Sequence, residues 1–254
     1  YIIAQFYPRM CVYNDVEGWQ NYQFWGNGEF ALAFGDFDVD ITVPADHLLD
    51  GTGDLINRKE VYSKQELNRW EQATKSYDKP VIIRTQAEAE KIEKGFSQQK
   101  KTWKLRAKDV RDFAFTSSRK YIMDAQAVKF PEGDVMAISI YPKEGNPLWE
   151  EYSTKAVVQT LKSYSRMTFD YPYPKAISVH GRNQGMEYPM ICWNHGRPNP
   201  DGTYSERTKL GMISVIIHEV GHNFFPMIVN SDERQWGWMD EGINTFVQYV
   251  AEQD

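Results

Sequence analysis

The stretch that most constrains this chain runs from Leu210 to Gly242, and within it lies His218-Glu219-Val220-Gly221-His222. On a helix, residues four apart sit one turn apart on the same face, so the imidazoles of His218 and His222 can meet at one divalent cation. Glu219, next in sequence to His218, points toward the same space. The H-E-x-x-H pattern therefore supplies two nitrogen ligands and one acid that is not a ligand.

A catalytic zinc ion takes three protein groups and leaves its fourth position to water, so one more ligand is required. Glu241 offers it after 18 intervening residues, in Trp238-Met239-Asp240-Glu241-Gly242. Pro226 ends the first helix, and Asn230-Ser231-Asp232 supplies a polar turn that can reverse the chain. Beyond it, Ile243, Phe246, Val247 and Val250 recur at helical spacing, which predicts a second, antiparallel helix that returns Glu241 to the histidines. One zinc ion held by His218, His222 and Glu241 keeps a net positive charge, acidifies a water and polarises a carbonyl. Glu219 is the expected general base, taking the proton of that water and passing it to the leaving nitrogen. Asp232, Glu233 and Asp240 are all candidates to accept the remaining ring protons of the histidines, and the sequence leaves that choice open.

With 254 residues, 41% hydrophobic and 25% charged, the chain has the composition of a globular protein with room for one large or two modest cores. Its net charge of -6 argues against nucleic acid or an anionic membrane as partner. The basic run Lys100 to Lys108 alternates like a strand in a solvated hairpin. No apolar run reaches membrane-spanning length. The chain begins at Tyr1 without Met or a leader, from which a processed or truncated start is expected, with export as the expected location. Cys11 and Cys192 are far apart in sequence; two buried free thiols are expected, with a disulfide as the alternative.

An α+β chain is expected, β-rich over residues 1–126 and catalytic over residues 127–254. Glu29 to Phe37 and Val39 to Val43 alternate apolar with polar or small residues, punctuated by Gly35 and Pro44. A half-buried sheet accounts for the aromatics Phe6, Tyr7, Trp19, Tyr22, Phe24 and Trp25. Ser63 to Glu66 and Thr85 to Glu88 read as capping boxes opening two short helices, the second stopped at Gly95. Val81 to Arg84, Thr102 to Ala107, Val110 to Thr116, Val135 to Tyr141 and Ala176 to His180 read as strands, and Glu150 to Met167 as an amphipathic helix. After Tyr171-Pro172-Tyr173-Pro174, an extended linker by its prolines, the stretch Gln184 to Pro189 continues the sheet. There a glycine lets backbone approach a ligand, a strand edge offers hydrogen bonds to an extended peptide, and Glu187 stands as a carboxylate at the rim of the cleft. His180 and His195 flank this stretch and are within reach of the cleft.

Together, Gly185-Met186-Glu187, His218-Glu219-Val220-Gly221-His222 and Asp240-Glu241-Gly242 resemble the gluzincin zinc aminopeptidases of the alanyl aminopeptidase N and leukotriene A4 hydrolase group. The likeness is strongest to secreted bacterial members, through Gln5-Phe6-Tyr7-Pro8, Gly18-Trp19 and Ile41 to His47. The resemblance covers essentially the whole chain. It implies a saddle-like β domain followed by the first part of a thermolysin-like domain, and hydrolysis of N-terminal residues from peptides. It also implies that Glu187, with Gly185 and Met186, binds substrate, the carboxylate anchoring the free α-amino group so that one residue is removed at a time.

The chain departs from the family pattern in three ways. Gln184 and Tyr188 stand at the ends of a motif usually written Gly-x-Met-Glu-Asn, which bears on the substrate-facing strand. Asp240 stands where Asn is commoner. The family's oxyanion-stabilising tyrosine and helical cleft wall are expected beyond Asp254, so this piece alone is expected to bind zinc and turn over poorly, since one lost oxyanion donor costs roughly a hundredfold to a thousandfold. The alternatives are a gluzincin endopeptidase, in which Glu187 has no role, and a zinc-binding module without catalysis; an intact Glu219 speaks against the last.

Overall fold

Tyr121 to Val128 and Val135 to Pro142 are buried along nearly their whole length, and a strand buried on both alternations needs cover on both faces of its sheet. The computed structural model, which describes residues 1–24, 29–181 and 185–254, supplies that cover. In chain order the elements are β1 (Ile2–Ile3), β2 (Tyr13–Asn14), β3 (Gly18–Trp19), β4 (Gly35–Pro44), β5 (Leu48–Gly51), β6 (Asp54–Leu55), α1 (Arg58–Val61), α2 (Lys64–Ala73), β7 (Val81–Arg84) and α3 (Gln86–Glu93). There follow β8 (Lys100–Val110), β9 (Phe115–Ser118), β10 (Tyr121–Val128), β11 (Val135–Pro142), α4 (Leu148–Met167), β12 (Lys175–His180), β13 (Met186–Tyr188), β14 (Ile191–Asn194), α5 (Glu206–Gly221) and α6 (Ile243–Ala251). The fold is α+β.

The central sheet has six strands in the order β13-β14-β12-β11-β10-β7. Its middle is parallel, β11 with β12 and β12 with β14, while β10, β7 and β13 join antiparallel. Alternate residues face opposite ways. Val135, Ala137 and Tyr141 of β11, Ala176 of β12 and Cys192 of β14 pack with α4, α5 and α6. Met136, Ile138, Ile140, Ile177, Val179, Ile191 and Trp193 pack on the other side, with Leu48, Leu49, Trp103 and Phe113 of the β-rich half. That half is built from two three-stranded antiparallel sheets, β1-β9-β5 and β4-β8-β6. The sheet is thus the shared wall of two apolar layers.

Local signals in the sequence are realised where side chain and backbone agree. Ser63 and Glu66 form a reciprocal cap on α2, with bonds of 3.2 and 2.8 Å, and Thr85 and Glu88 do the same on α3. The amide of Gly95 bonds the Ile92 carbonyl just after α3 ends. The strands expected over Val81 to Arg84, Val135 to Tyr141 and Ala176 to His180 and the helix ending at Met167 are present. Expectations at Trp25 and Gln184 lie outside the described residues.

Several expectations are corrected. Residues 29–34 are not a strand, apart from an isolated bridge between Cys11 and Leu32. The backbone of Phe30 is committed elsewhere: its N–H donates to Glu233 Oε2 at 2.9 Å and its carbonyl accepts from Arg111. Gly35 therefore starts a strand and does not punctuate one. Val110 to Thr116 is not continuous either, because Arg111 and Asp112 leave the ladder to pair with Glu233 and Arg9. The basic strand β8 does not belong to a local hairpin; it pairs with β4 on one side and β6 on the other. Both cysteines are free thiols, Cys192 buried but Cys11 only half-buried. Residues 126 and 127 lie within β10, which pairs with β11 on one side and β7 on the other. No helix among the described residues is long and apolar enough to cross a membrane.

On the helix-facing side of β10 a carboxyl is sealed in. Asp124 is 1% exposed and accepts from the hydroxyls of Tyr141 and Thr154. Burial pushes its pKa up to about 7, against the pull of the two hydroxyls and with a small push from Glu150. The folded chain then holds a proton over a range in which the unfolded chain, with an aspartate near 3.9, has released it. This group's contribution is full below about pH 4 and is lost as pH rises toward 7, by at most about 1.4 kcal/mol per pH unit. Asp124→Asn should remove this dependence. In denaturant unfolding at pH 5 and pH 7.5 the native chain should lose stability relative to the variant at the higher pH; an equal difference at both would refute the assignment.

Candidate active site

The segment from Ser205 to Gly221 folds as α5 because Ser205 caps it, its hydroxyl accepting from the Thr208 amide at 3.1 Å. Met212, Ile216, Ile217 and Val220 form its buried side. His222 stands at its C-terminal end, one turn from His218. Gly221 lies where α5 is crossed by its neighbours: a Cβ there would collide with the Tyr164 hydroxyl of α4 and with Asn244 Oδ1 of α6. Those two groups are bonded to each other at 2.8 Å, and Asn244 Nδ2 donates to the His218 carbonyl at 2.9 Å. The crossing of the two helices is therefore fixed by a glycine and two polar contacts.

Just before α6 the chain makes a π-helical turn, Trp238–Gly242, a widened turn that tends to occur at functional positions. It carries Asp240 and Glu241. Glu241 Oε2 lies 3.1 Å from His218 Nε2 and 3.5 Å from His222 Nε2, and the two Nε2 atoms are 3.0 Å apart. Four ligands at 2.0–2.1 Å around a tetrahedral centre are separated by about 3.3 Å. The three donor atoms are thus spaced as three corners of a zinc coordination shell, and they fit such an ion.

Hydrogen bonds on the far sides of the rings set which nitrogen is bare. His218 Nδ1 is 2.8 Å from Gln248 Oε1, and His222 Nδ1 is 2.9 Å from the Phe225 carbonyl and 3.0 Å from Asp240 Oδ1. Each Nδ1 faces acceptors, so it carries the proton and leaves the Nε2 lone pair for the centre. Of the three acids open as ring acceptors, Asp240 is the one in place: Glu233 pairs with Arg111, and Asp232 accepts from Gln235. Gln248 had no marker in the sequence. Burial disfavours charge on His222, but the carboxylates of Glu187, Asp240 and Glu241 together raise its pKa. Where the rings are protonated on both nitrogens, their hydrogen bonds to Glu241 hold its carboxyl well below its usual range.

Glu219 and Glu187 are 5% and 4% exposed, and each has one carboxylate oxygen, Oε2 and Oε1 respectively, without a protein partner. Burial pushes both pKa values up; repulsion from Glu187 adds to the shift at Glu219, and repulsion from Asp240, Glu29 and Glu233 adds to it at Glu187. Gly185 leads into the edge strand β13 that bears Glu187, and a Cβ on it would run into Glu219 Oε1 and lie 3.2 Å from Val215. Met186 is half-buried and packs toward the β-rich half, while the Tyr188 hydroxyl accepts from Gln5 Nε2 at 3.0 Å.

Glu29 belongs to this group although nothing in the sequence marks it. Carboxylate atoms of Glu29, Glu187 and Glu233 lie within 4.8 Å of one another, as do donor atoms of Glu187, His222 and Asp240. Arg111 holds this arrangement together, donating to Glu233, to the Pro226 carbonyl and to the Phe30 carbonyl. His180 is not part of the group: it is buried against Trp149, its Nε2 accepts from Arg197 Nε at 3.2 Å, and burial pushes its pKa down to about 4. His195 lines a separate cavity with Arg197 and Arg207.

No known family model matches the chain, and no curated protein matches its sequence. Among solved structures, the crystal structure of an M1 zinc metallopeptidase from Deinococcus radiodurans is similar, with a TM-score of 0.55 and 14% identity over 88% of this chain and 42% of that one. A mutant of an M1 zinc metallopeptidase from the same organism bound to a Tyr-Ser-Ala substrate gives 0.52, again at 14% identity with the same coverage of both chains. A two-domain M1 zinc metallopeptidase mutant bound to L-tryptophan gives 0.53, with the same identity and coverage. The chain spans less than half the length of these proteins. At this level of identity the likeness establishes that the chain shares its fold with M1 zinc metallopeptidases.

Proposed function

We propose that this chain carries the catalytic centre of a zinc aminopeptidase, a hydrolase acting on peptides with a free N-terminus. The observation that carries the reading is the set of three donor atoms 3.0–3.5 Å apart on His218, His222 and Glu241, next to two buried carboxylates with unpartnered oxygens. One zinc ion held by that tripod supplies Lewis acidity, lowering the pKa of a water and polarising the peptide carbonyl. The remaining work falls to the chain's own side chains. Asp240, Phe225 and Gln248 keep the ligating rings in the tautomer that presents Nε2. Glu219 is not a ligand; its free Oε2 accepts a proton from water and returns it to the leaving nitrogen.

The aminopeptidase reading, as opposed to cleavage within a chain, rests on Glu187. Three carboxyl groups, on Glu29, Glu187 and Glu233, converge with the Arg111 guanidinium paired to Glu233; burial disfavours their ionised form, and a substrate ammonium placed among them would favour it, forming a charge-assisted hydrogen bond with Glu187. The adjacent edge strand β13 offers backbone groups to an extended peptide, so the ammonium and the strand together set which bond reaches Glu219. The fold likeness to M1 zinc metallopeptidases supports the same reading.

Two outcomes are expected. The chain should retain one zinc ion per molecule in metal analysis after dialysis, and Glu241→Ala or His222→Ala should weaken retention at least a hundredfold in chelator competition, whereas Glu219→Gln should leave it intact and lower peptide turnover by about 10²–10⁴-fold. Equal zinc retention by Glu241→Ala would remove the tripod from the account. Separately, Glu187→Ala should weaken binding and cleavage of free-amine peptides by about 10–100-fold while changing N-acetylated peptides little. If the native chain, or a longer polypeptide containing it, cleaves blocked peptides as readily as free ones, the site is an endopeptidase.

A further inference from the structure

The cavity lined by His180, His195, Arg197, Arg207, Thr208 and Gly211 has a volume of about 620 Å³ and no carboxylate in its lining. It lies on an extension of the site. At 3.6 residues per turn, Thr208, Gly211, Val215, His218, Glu219 and His222 all fall within an arc of about 100° on α5. The helix face that presents the histidines and Glu219 therefore continues, two to three turns toward its N-terminus, into this cavity. Gly185, at the start of the edge strand, packs against Val215 and Glu219 on the same face.

Charge changes sign along this helix face. Glu29, Glu187 and Glu233 cluster beside His222, at the C-terminal end of α5, and the basic cavity sits at the N-terminal end. A peptide whose ammonium lies against Glu187 and whose first peptide bond lies over Glu219 must send its leaving portion toward the cavity. From Glu219 to Gly211 and Thr208 is about 12–16 Å along the helix at 1.5 Å per residue. An extended chain covers that in about four or five residues at roughly 3.3 Å each.

We infer that this cavity is a subsite for a carboxylate about four residues beyond the cleaved bond, held by Arg197 and Arg207 with His195 beside them. The inference rests on the aminopeptidase reading for its direction. A planar guanidinium suits a carboxylate, and Arg197 is already oriented by its bond to His180. The carboxylate is either the C-terminus of a peptide of about five residues or an acidic side chain in a longer one.

The test is equilibrium binding of alanine-based peptides to the zinc-loaded Glu219→Gln chain, which cannot turn them over. A pentapeptide with a free C-terminus should bind about fivefold tighter than its amide. For peptides of two and nine residues, acid and amide should bind alike. A nine-residue amide with Asp at the fifth position should match the pentapeptide acid if an acidic side chain serves, and the Ala form if only a C-terminus does. Arg207→Ala and Arg197→Ala should each shrink the pentapeptide difference toward unity. Acid and amide binding equally at every length, or a preference that both variants leave intact, would overturn the subsite. N-acetylation of the same peptides separates the two claims: if it leaves affinity unchanged while the carboxylate preference persists, the amine-anchoring reading fails and the subsite stands.

Discussion

The crossing of α5 and α6 at Gly221 is the contact on which the site depends. Any side chain at that position would meet Tyr164 and Asn244, so the glycine sets how closely the second helix approaches the first. Tyr164 then orients Asn244, and Asn244 bonds the carbonyl of His218 itself. With the helices locked at that distance, the π-helical turn of Trp238–Gly242 advances Glu241 to within 3.5 Å of both rings. A regular α-turn would rotate each residue after it by a different angle and deliver Asp240 and Glu241 elsewhere. Asp240, one residue before Glu241, reaches the back of His222 from that same turn.

The β-rich half is joined to this centre by polar contacts as well as by the apolar layer under the sheet. Arg111, 1% exposed at its side chain, binds Glu233 and two carbonyls, one of them from Phe30. Glu233 in turn accepts from the Phe30 amide. A buried ion pair is weak evidence of stability, since desolvation offsets much of its attraction; here its evident consequence is positional. With both backbone groups of Phe30 tied, Glu29 is placed against Glu187. An acid from early in the chain and an arginine from its middle thus join a site whose other members come from its last third.

This division explains what the sequence revealed and what it did not. That His218, Glu219 and His222 lie together was legible because helical periodicity alone brings them to one face, and the approach of Glu241 to both rings was legible because a zinc reading calls for a third donor at a distance two helices can close. Asp240 was one of three candidates, and only the widened turn selects it. Glu29 was invisible: its role comes from Phe30's contacts with residues 81 and 203 positions away, and an alternating pattern around it resembled a strand. Arg111 misled for the same reason, lying in an apolar run that reads as β until Glu233 is known to be its partner. Across the core, β10, β11 and β12 were recoverable from local pattern, whereas the pairing of β7 with β10 was not, since nothing local says which edge a short strand will join.

Buried polar atoms without partners cost about 1–3 kcal/mol each in a finished fold, and natural sequences tolerate them mainly where function requires it. Glu187 Oε1 and Glu219 Oε2 are two such atoms among the described residues, on neighbouring elements and facing one centre. A chain selected for stability alone would pair them with donors or replace them with amides. Instead the nearest backbone is kept open by Gly185, whose lack of a side chain leaves room beside Glu219. These two unfilled acceptors belong to acids beside the His218, His222 and Glu241 cluster, where a cation, a water and an ammonium would each supply the missing charge or proton, which gives this pair a chemical use that the unpartnered atoms elsewhere in the described residues, such as Trp103 Nε1 and Asp50 Oδ2, do not share.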